Sequence, residues 1–357
     1  MIKLFISCCS LSSGGAERVL SILSKPFAEH YDDVQYIMWY DNPVFYEIDQ
    51  RVKIVCIEKE AGSRSTLKRM TWFRKYINAQ KPDLVLALSA PFNMLTLASL
   101  LGSSHKVVAA ERVDPRSFRW GKHLEILRNL LYHKATGILA QTEYCKDYFK
   151  GRLYKKTDVI FNPVIMPEEM IGSAIRTKKN KVIATAARLA PQKKQDMIIR
   201  VFAKFHETHS DYSLKIFGEG AERDNLTKLA ADLGVANCVE LSGSVKDLWI
   251  RLQSTNMFVM TSLFEGMSNS MIEAMCLGVP CISTKVSGAV DLIDSGRNGV
   301  LIELNDEDAL YDAMMRIADD SDYATSVATE GAKLYDVLNV DTISQQWVSY
   351  IDKIISK

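Results

Sequence analysis

Several features that would place the chain in a specialised class are missing from its sequence. No run of about 18 or more apolar residues occurs, so no transmembrane helix is expected. The first residues lack the long apolar segment and small-residue cleavage site of a signal peptide. The seven cysteines include no C-x-x-C pair, and the six histidines show no metal-ligand spacing. We therefore expect a cytoplasmic protein with neither a disulfide framework nor a bound metal or other cofactor.

The length and composition are those of a two-domain globular protein. At roughly 150 residues per domain, 357 residues correspond to about two domains. Hydrophobic residues make up 47% of the chain, enough for each half to bury a core of its own.

The net charge of +1 hides an uneven distribution. Residues 1–165 hold 24 Lys and Arg against 16 Asp and Glu, while the remainder holds 20 against 27. Within the first half, the part after residue 50 carries 21 basic and 9 acidic residues. Two basic segments contribute to this excess, Arg64–Lys81 and Arg116–Lys134, and aromatic residues are interleaved with their charges: Trp72, Phe73, Phe118 and Trp120.

Two interpretations of the basic segments remain open. They can be solvated amphipathic helices packed on a sheet. Alternatively, they form a cationic, aromatic-tipped surface for anionic lipid headgroups or a diphosphate lipid, on the inner face of a membrane. A nucleic-acid partner is not expected, because no recognised binding motif accompanies the charge.

Short apolar segments alternate with helical patterns throughout the chain. In the first half the strand candidates are KLFISCC, VQYIMWY, VKIVCIE, LVLALS, KVVAAE and GILAQT; in the second they are KVIATAARL, SLKIFGEG, CVELSG, MFVMTS, PCISTK and GVLIEL. Such alternation predicts an α/β fold of two doubly wound, Rossmann-like domains, each with a parallel sheet covered on both faces. Ligands of such sheets bind beyond the carboxyl ends of the strands, so we expect the site in a cleft between the domains.

Prolines, a glycine and a basic cluster mark a linker near Asn162–Lys181. We place the first domain at 1–165, the linker at 166–180 and the second domain at 181–338. The last helix, 341–357, has apolar residues at helical spacing: Ile343, Trp347, Tyr350, Ile351 and Ile354.

Two loops that follow strands contain residues suited to binding phosphate. Gly14 and Gly15 precede a helix predicted to begin near Ala16, where backbone amides can approach an anion, although a plain turn explains them equally well. Arg188 and Lys193 follow the first strand of the second half, and two cations there can hold a diphosphate.

The stretch FEGMSNSMIEAMCLG places two glutamates, Glu265 and Glu273, around a helix start. Ser268 or Asn269 is the predicted cap, and Gly266 lets the amides of residues 267–269 face a ligand. Acids near a helix start are often only partners of its dipole. Two carboxylates beside an amide-rich helix end nevertheless suit a polyhydroxylated anion, meaning a sugar attached to phosphate.

With these motifs the sequence resembles glycosyltransferase family 4, and in particular bacterial surface-polysaccharide glycosyltransferases. The matching segments are EGMSNSMIEAMCLGVPCIST, RLAPQKK, GGAERV and SGAVDLIDSGRNGVLIE, so the resemblance extends over nearly the whole chain. It implies the two-domain GT-B fold, in which the final helix crosses back onto the first domain. It also implies a retaining enzyme that uses a nucleotide sugar.

The resemblance also implies roles for individual residues. Arg188 and Lys193 would hold the diphosphate, and Gly15 would approach it from the first domain. Glu265 would bind donor-sugar hydroxyls with the amides of Met267 and Ser268, and Glu273 would bind the ribose. The further substrate contacts implied are Gly14, Lys194, Gly218, Val245, Gly266 and Asn269. Where many family members have a first-domain histidine, this chain reads AAERVDP, so Glu111 or Arg112 takes that place.

The expected activity is transfer of a hexose or N-acetylhexosamine from a nucleotide sugar, UDP rather than GDP, to a saccharide or polyprenyl-diphosphate-linked acceptor. Preorganised positive charge of the protein, facing the leaving diphosphate, would supply the catalysis without a protein nucleophile. Two alternatives stay open, a non-catalytic sugar-nucleotide-binding subunit and an epimerase of the same fold. A glycosidase would leave the Arg/Lys loop unexplained. The acidic string NDEDAL is interpreted as a helix start capped by Asn305 rather than as a metal site.

Overall fold

The structure of the protein is a computed structural model. The chain divides into two compact units, Met1–Pro163 together with Asn339–Lys357, and Val164–Leu338. The residues that the structure describes are 1–12, 14–117, 121–178, 180–245 and 247–357.

The first unit alternates strands and helices. Its strands are β1 (Lys3–Cys8), β2 (Asp33–Met38), β3 (Lys53–Cys56), β4 (Leu84–Leu88), β5 (Val107–Ala110), β6 (Gly137–Ala140) and β7 (Thr157–Val159). The helices that precede residue 163 are α1 (Gly15–His30), α2 (Ile57–Glu60), α3 (Thr66–Gln80), α4 (Ala90–Ser99), α5 (Lys122–Tyr132), α6 (Glu143–Lys146) and α7 (Gly151–Lys155).

These strands form one parallel sheet in the order β3-β2-β1-β4-β5-β6-β7. The register places Ile6 of β1 opposite Tyr36 of β2 and Leu86 of β4, and all three side chains are buried. Strands buried on both faces are apolar throughout, as expected for a sheet covered by helices. The strand order reverses between β1 and β4, and ligands of open α/β sheets bind at such a switch point.

The second unit repeats this architecture. Its strands are β8 (Val182–Ala186), β9 (Ser213–Phe217), β10 (Val239–Gly243), β11 (Met257–Met260), β12 (Cys281–Thr284) and β13 (Val300–Ile302). They form a parallel sheet in the order β10-β9-β8-β11-β12-β13, with the switch point between β8 and β11. Its helices are α8 (Ser173–Arg176), α9 (Gln195–His206), α10 (Arg223–Asp232), α11 (Leu248–Leu252), α12 (Asn269–Leu277), α13 (Ser287–Leu292), α14 (Glu307–Asp319), α15 (Ser321–Ala332) and α16 (Tyr335–Leu338).

The segment 166–180, interpreted from the sequence as a linker, lies within this second unit. It contains a 3-10 turn at Glu168–Met170 and then α8. The amide of Gly172 donates to the carbonyl of Cys276 at 3.0 Å, which ties this segment to α12.

The last helix, α17 (Val340–Ile355), belongs to the first unit. Asn339 caps it by accepting from the amide of Thr342 at 2.9 Å. The five apolar residues that the spacing singled out are all buried. The ring of Trp347 meets that of Phe27 on α1 edge to face, with centroids 6.2 Å apart.

Two local predictions from the sequence were wrong. The strand list omitted β7, because its three residues include Asp158 and show no apolar run. The cap of α14 is Asp306, whose carboxylate accepts from the amide of Ala309 at 2.9 Å. Asn305, the predicted cap, has a φ of +61° and lies in the turn that precedes the helix.

The basic segments contain helices α3 and α5, but the aromatic residues of Arg64–Lys81 do not form an exposed tip. Phe73 is fully buried in the core of the first unit. Trp72 is half-buried and stacks on Tyr76, with ring centroids 4.8 Å apart. Phe118 and Trp120 lie outside the described residues. No helix in the described ranges is both long and apolar enough to cross a bilayer.

Candidate functional site

Most of the predicted site residues lie at one edge of the second sheet. Its strands are all parallel, so the loops that follow β8, β9, β10 and β11 emerge at the same edge. Val245, after β10, is half-buried there. The other residues on these loops are Arg188, Lys193, Lys194, Gly218 and Glu265–Ser268, and α12 carries Asn269 and Glu273.

Lys193 and Glu265 form an ion pair between the ammonium nitrogen and carboxylate Oε1. Both side chains are largely buried, with 14% and 13% of their surface exposed. The hydroxyl of Ser262 also donates to Oε1, at 2.7 Å. The sequence assigned these two residues to different parts of the ligand, whereas the structure places them in one polar cluster.

Lys194 belongs to a different network on the surface of α9. Its ammonium nitrogen lies 3.1 Å from Oδ2 of Asp196, which also accepts from Arg200 at 2.9 Å. Burial opposes ionisation of Asp196, but the hydrogen bonds from Arg200 and Lys194 outweigh it and lower its pKa. Arg200 in turn pairs with Glu307 at 2.7 Å. Of the two lysines, Lys193 is therefore the one beside Glu265.

The loop that carries Arg188 is held against the loop after β9. The amide of Ala187 donates to the carbonyl of Phe217 at 3.0 Å, and that of Leu189 donates to the carbonyl of Glu219 at 2.9 Å. A Cβ at Gly218 would lie 2.0 Å from the carbonyl oxygen of Ala187. The side chain of Arg188 itself is exposed. A glycine is therefore required for the backbone contact that positions Arg188.

The start of α12 is capped as the sequence predicted. The hydroxyl of Ser268 accepts from the amide of Met271 at 3.3 Å. Glu273 lies in the buried part of the helix and is 2% exposed. Burial, followed by the nearby charge of Glu273, raises the pKa of the Cys276 thiol to about 12. Glu273 therefore places an acidic group in the interior of the second unit.

A second glycine contact shapes the loop before α12. A Cβ at Gly288 would lie 2.8 Å from the carbonyl oxygen of Gly266 and 2.8 Å from Cα of Met267. Gly288 lies in α13, after β12, so the start of this helix packs directly against the backbone of residues 266–267. This supporting role was missed in the sequence, where the SGAVDL motif contributed only to the resemblance.

In the first unit, Gly14 and Gly15 join β1 to α1. Gly14 is the N-cap in an extended conformation, with φ −139°, and the helix begins at Gly15 rather than near Ala16. The amide of Gly14 donates to the carbonyl of Ser12 at 3.0 Å. Burial raises the pKa of Glu17, in the first turn of α1, and the positive charge of Arg112 opposes that rise.

Arg112 follows β5 and is buried. Its Nη2 donates to Oδ1 of Asn162 at 2.6 Å. Burial lowers the pKa of Arg112 to about 10, although the negative charges of Glu17 and Cys145 oppose this decrease. Arg112 and Glu17 thus influence each other through the charges of a buried guanidinium after β5 and a half-buried carboxylate in the first turn of α1.

Glu111 is buried on the other side of the same loop and is 1% exposed. Its Oε1 accepts from the hydroxyl of Tyr132 at 2.5 Å, and that hydroxyl accepts from Nδ2 of Asn93 at 2.8 Å. Burial raises the pKa of Glu111 to about 7, although the charge of Arg128 and the hydrogen bond from Tyr132 oppose the rise. Its Oε2 makes no hydrogen bond to the described residues.

Several residues of these clusters carried no signal in the sequence. Asn93, Tyr132 and Asn162 are common residue types, and only the fold brings them to Glu111 and Arg112. Ser262 lies three residues before Glu265, but a lone serine at that spacing predicts no contact with the carboxylate. Within the described ranges, no group of three or more His, Cys, Asp or Glu side chains is arranged to hold a metal ion.

Residues 167–334 match the family model described as "Glycosyl transferases group 1". This range contains every predicted site residue of the second unit. Over its whole length the chain is also similar to an alpha-1,4-N-acetyl-D-galactosaminyltransferase of Campylobacter jejuni, named for the substrate GalNAc-alpha-(1->4)-GalNAc-alpha-(1->3)-diNAcBac-PP-undecaprenol. The two are 22% identical over 362 residues, covering 99% of each chain.

Two further proteins are similar to the chain over most of its length. An N-acetylgalactosamine-N,N'-diacetylbacillosaminyl-diphospho-undecaprenol 4-alpha-N-acetylgalactosaminyltransferase of the same organism is 26% identical over 351 residues, covering 90% of this chain and 91% of the relative. The crystal structure of HepE from Anabaena in complex with UDP and glucose superimposes with a TM-score of 0.81 at 20% identity, covering 99% of this chain and 100% of HepE.

Proposed function

We propose that this chain, a glycosyltransferase of the two-domain GT-B fold, is a retaining member of family 4 that moves a hexose or N-acetylhexosamine from a nucleotide sugar to a lipid-linked saccharide. The observation that carries the proposal is the cluster of Lys193, Glu265 and Ser262 at the carboxyl edge of the second sheet, on the same edge as Arg188. Cations that stabilise a leaving diphosphate and a carboxylate that binds sugar hydroxyls are the two requirements of this reaction.

The cluster suits a sugar diphosphate better than it suits either half alone. An ammonium group has three N–H donors, so Lys193 can keep its bond to Glu265 and still donate to a phosphate oxygen. Glu265 then stands where the sugar joins the diphosphate. Arg188 adds a planar fork suited to two phosphate oxygens. We assign the ribose hydroxyls to Glu273 and the neighbourhood of the base to Gly218 and Val245.

The transfer step needs no protein nucleophile. The bond from the anomeric carbon to the phosphate oxygen breaks, and its electron pair stays on the diphosphate. The acceptor hydroxyl forms the new bond on the same face of the sugar, and its proton passes to a phosphate oxygen. Arg188 and Lys193 stabilise the charge that develops on the leaving group, so they carry most of the rate enhancement in this proposal. Glu265 positions the sugar.

We propose UDP as the nucleotide and a polyprenyl-diphosphate-linked saccharide as the acceptor. HepE, which shares the fold, was solved with UDP and glucose. The two Campylobacter jejuni relatives are named for acceptors linked through diphosphate to undecaprenol. Both points are supported by similarity rather than by a contact in this chain.

We propose that the enzyme acts at the inner face of a membrane that contains anionic lipids. The balance of 21 basic to 9 acidic residues in 51–165 favours such a surface. Each lysine or arginine near such a surface contributes about 1 kcal/mol to the free energy of membrane binding, so three or four suffice for reversible attachment. Salt should weaken the attachment, because exposed charges are screened over roughly 8 Å at physiological ionic strength.

The direct test is a transfer assay with a panel of UDP- and GDP-linked hexoses and N-acetylhexosamines and a polyprenyl-diphosphate-linked saccharide as acceptor. We expect one UDP sugar to be transferred with its anomeric configuration kept, as read by NMR of the product. The Arg188→Ala variant is the control for contaminating transferases. An inverted product, or transfer from GDP sugars only, would refute the corresponding part of the proposal.

A further inference from the structure

Helix α5 buries an arginine beside Leu131 and Tyr132 and exposes four aliphatic residues. Its arginine, Arg128, is fully buried, and Nη2 donates to the hydroxyl of Tyr148 at 2.5 Å. The aliphatic residues Leu124, Ile126, Leu127 and Leu130 are all exposed, Ile126 and Leu130 by 60% each. A surface helix normally turns its apolar stripe to the core and its charges to water. We call these four residues the aliphatic face of α5.

The aliphatic face continues into a groove between α5 and α4. The groove has a volume of about 530 Å³ and is lined mainly by apolar side chains, among them Met94, Leu95 and Ala98 of α4 and Leu124 and Leu127 of α5. Contiguous apolar surface of this kind on a folded domain marks an interaction site.

Positive charge borders the aliphatic face. Lys122 and Lys134 are exposed at its two ends, and its one acid, Glu125, is half-buried. Helix α4 has no charged residue, and α3, beside it, exposes Lys68 and Lys75 and contains no acid. Apolar residues flanked by lysines fit the boundary between the headgroups and acyl chains of an anionic bilayer.

A second copy of the chain fits this face less well. Two-fold pairing of α5 with itself would bring Lys122 and Lys134 of one copy towards the same residues of the other. Like charges would then meet without a partner, whereas the phosphates of an anionic bilayer would neutralise them.

We propose that the aliphatic face of α5 inserts into the interface of an anionic bilayer and anchors the first unit there. The inference rests on the proposed function only for what the membrane carries, namely the acceptor. It also assigns the contact to aliphatic residues of α5 rather than to Trp72 and Phe73, because Phe73 is buried and Trp72 stacks on Tyr76. Lysines provide the attraction, which salt weakens, and the aliphatic side chains provide a component that salt does not weaken.

The test is vesicle co-sedimentation of the full chain, without substrate, using phosphatidylglycerol/phosphatidylcholine and pure phosphatidylcholine vesicles at low and high salt. We expect the Ile126→Gln/Leu130→Gln double variant to bind anionic vesicles at least about tenfold more weakly than the wild type. The matched control is Leu304→Gln/Val337→Gln, which removes two aliphatic side chains of similar exposure from the second unit and should bind as the wild type does. A Lys122→Gln/Lys134→Gln variant should bind more weakly with a smaller dependence on salt.

Three results of the vesicle assay would overturn the inference. One is equal binding by the Ile126→Gln/Leu130→Gln variant and the wild type, and another is equal loss in the matched control. The third is binding only when polyprenyl phosphate is present in the vesicles, which would assign the groove to the acceptor's tail. Sedimentation velocity tests a second copy of the chain as the occupant. If the wild type were a dimer and the Ile126→Gln/Leu130→Gln variant a monomer, the face would be a contact between copies and the inference would be overturned.

An activity assay separates this inference from the proposed function. With an acceptor whose lipid is shortened until it is water-soluble, the Ile126→Gln/Leu130→Gln variant should turn over at the wild-type rate. With the acceptor in anionic vesicles, it should be slower by about the factor lost in binding. Absence of turnover by the wild type with both acceptors would refute the proposed function and leave the binding result standing.

Discussion

The ammonium group of Lys193 pairs with the carboxylate of Glu265, although 72 residues separate them in the chain. Lys193 lies in a 3-10 turn after β8, and Glu265 lies in the loop after β11, the neighbouring strand of the sheet. The hydroxyl of Thr261 donates to the carbonyls of Lys193 and Lys194, at 3.1 and 2.9 Å, and so joins the two loops. The pair is the centre of the proposed donor site, and the first two predictions concern it and its neighbours.

Replacing Arg188 with alanine should lower turnover strongly without unfolding the protein. Its side chain is exposed, so little packing is lost. Loss of one charge-assisted contact to the leaving group corresponds to about 2–4 kcal/mol of transition-state stabilisation, or roughly 30- to 1,000-fold in rate. Steady-state kinetics and a melting curve measure the two effects. Near-normal turnover would remove Arg188 from the catalytic residues.

The two glutamates should differ in what they bind. Glu273→Gln should weaken binding of free UDP as well as of the UDP sugar, because its proposed partner is the ribose. Glu265→Gln should weaken binding of the sugar nucleotide more than that of free UDP. Isothermal calorimetry with both ligands measures the difference. If both variants bound free UDP equally poorly, the assignment of sugar and ribose would be wrong.

Activity should persist in EDTA. The proposed charge stabilisation comes from Arg188 and Lys193, and no metal-ligand cluster is found in the described ranges. The measurement is the transfer rate after dialysis against EDTA, with and without added Mg²⁺ or Mn²⁺. Complete loss that either ion restores would contradict this prediction.

Stability should fall with rising pH because of Glu111. Its pKa in the folded state is about 7, above the ordinary value of 4.5, so the folded state binds the proton more tightly than the unfolded state does. The stabilisation is complete below pH 4.5 and is lost as the pH rises through 7. Between pH 5 and pH 8 the free energy of unfolding of the wild type should therefore fall by roughly 2–3 kcal/mol relative to Glu111→Gln. Urea titrations at both pH values test this, and a difference that does not change with pH would contradict it.

The contact between Gly218 and Ala187 should make Gly218→Ala costly. Gly218 has a φ of +139°, and a Cβ there would overlap the carbonyl oxygen of Ala187. We expect a loss of roughly 3 kcal/mol or more in the free energy of unfolding, together with slower transfer because the Arg188 loop is displaced. Gly234→Ala is the matched control: it also has a positive φ, but no atom lies within 4 Å of the added Cβ. Its cost should be about 1 kcal/mol. Equal costs would show that the contact does not constrain the loop.

Much of the fold could be predicted from the sequence, because local patterns determine it. Twelve apolar segments predicted strands that the structure contains, and the alternation with helices predicted two parallel sheets. The spacing of Ile343, Trp347 and Ile354 predicted the buried side of α17. Ser268 was one of two predicted caps of α12 and is the cap observed. These features depend on residues within one or two turns of each other, so a single stretch of chain carries the signal.

The detailed chemistry was decided by the tertiary structure. Nothing near Lys193 in the sequence indicates that it, rather than Lys194, pairs with Glu265. Nothing near Phe73 or Arg128 shows that both are buried while Ile126 and Leu130 face solvent. Each of these outcomes depends on which strands lie side by side and which helix face meets the sheet. Such contacts join residues far apart in the chain, and their energy exists only once the sheet has brought those residues together.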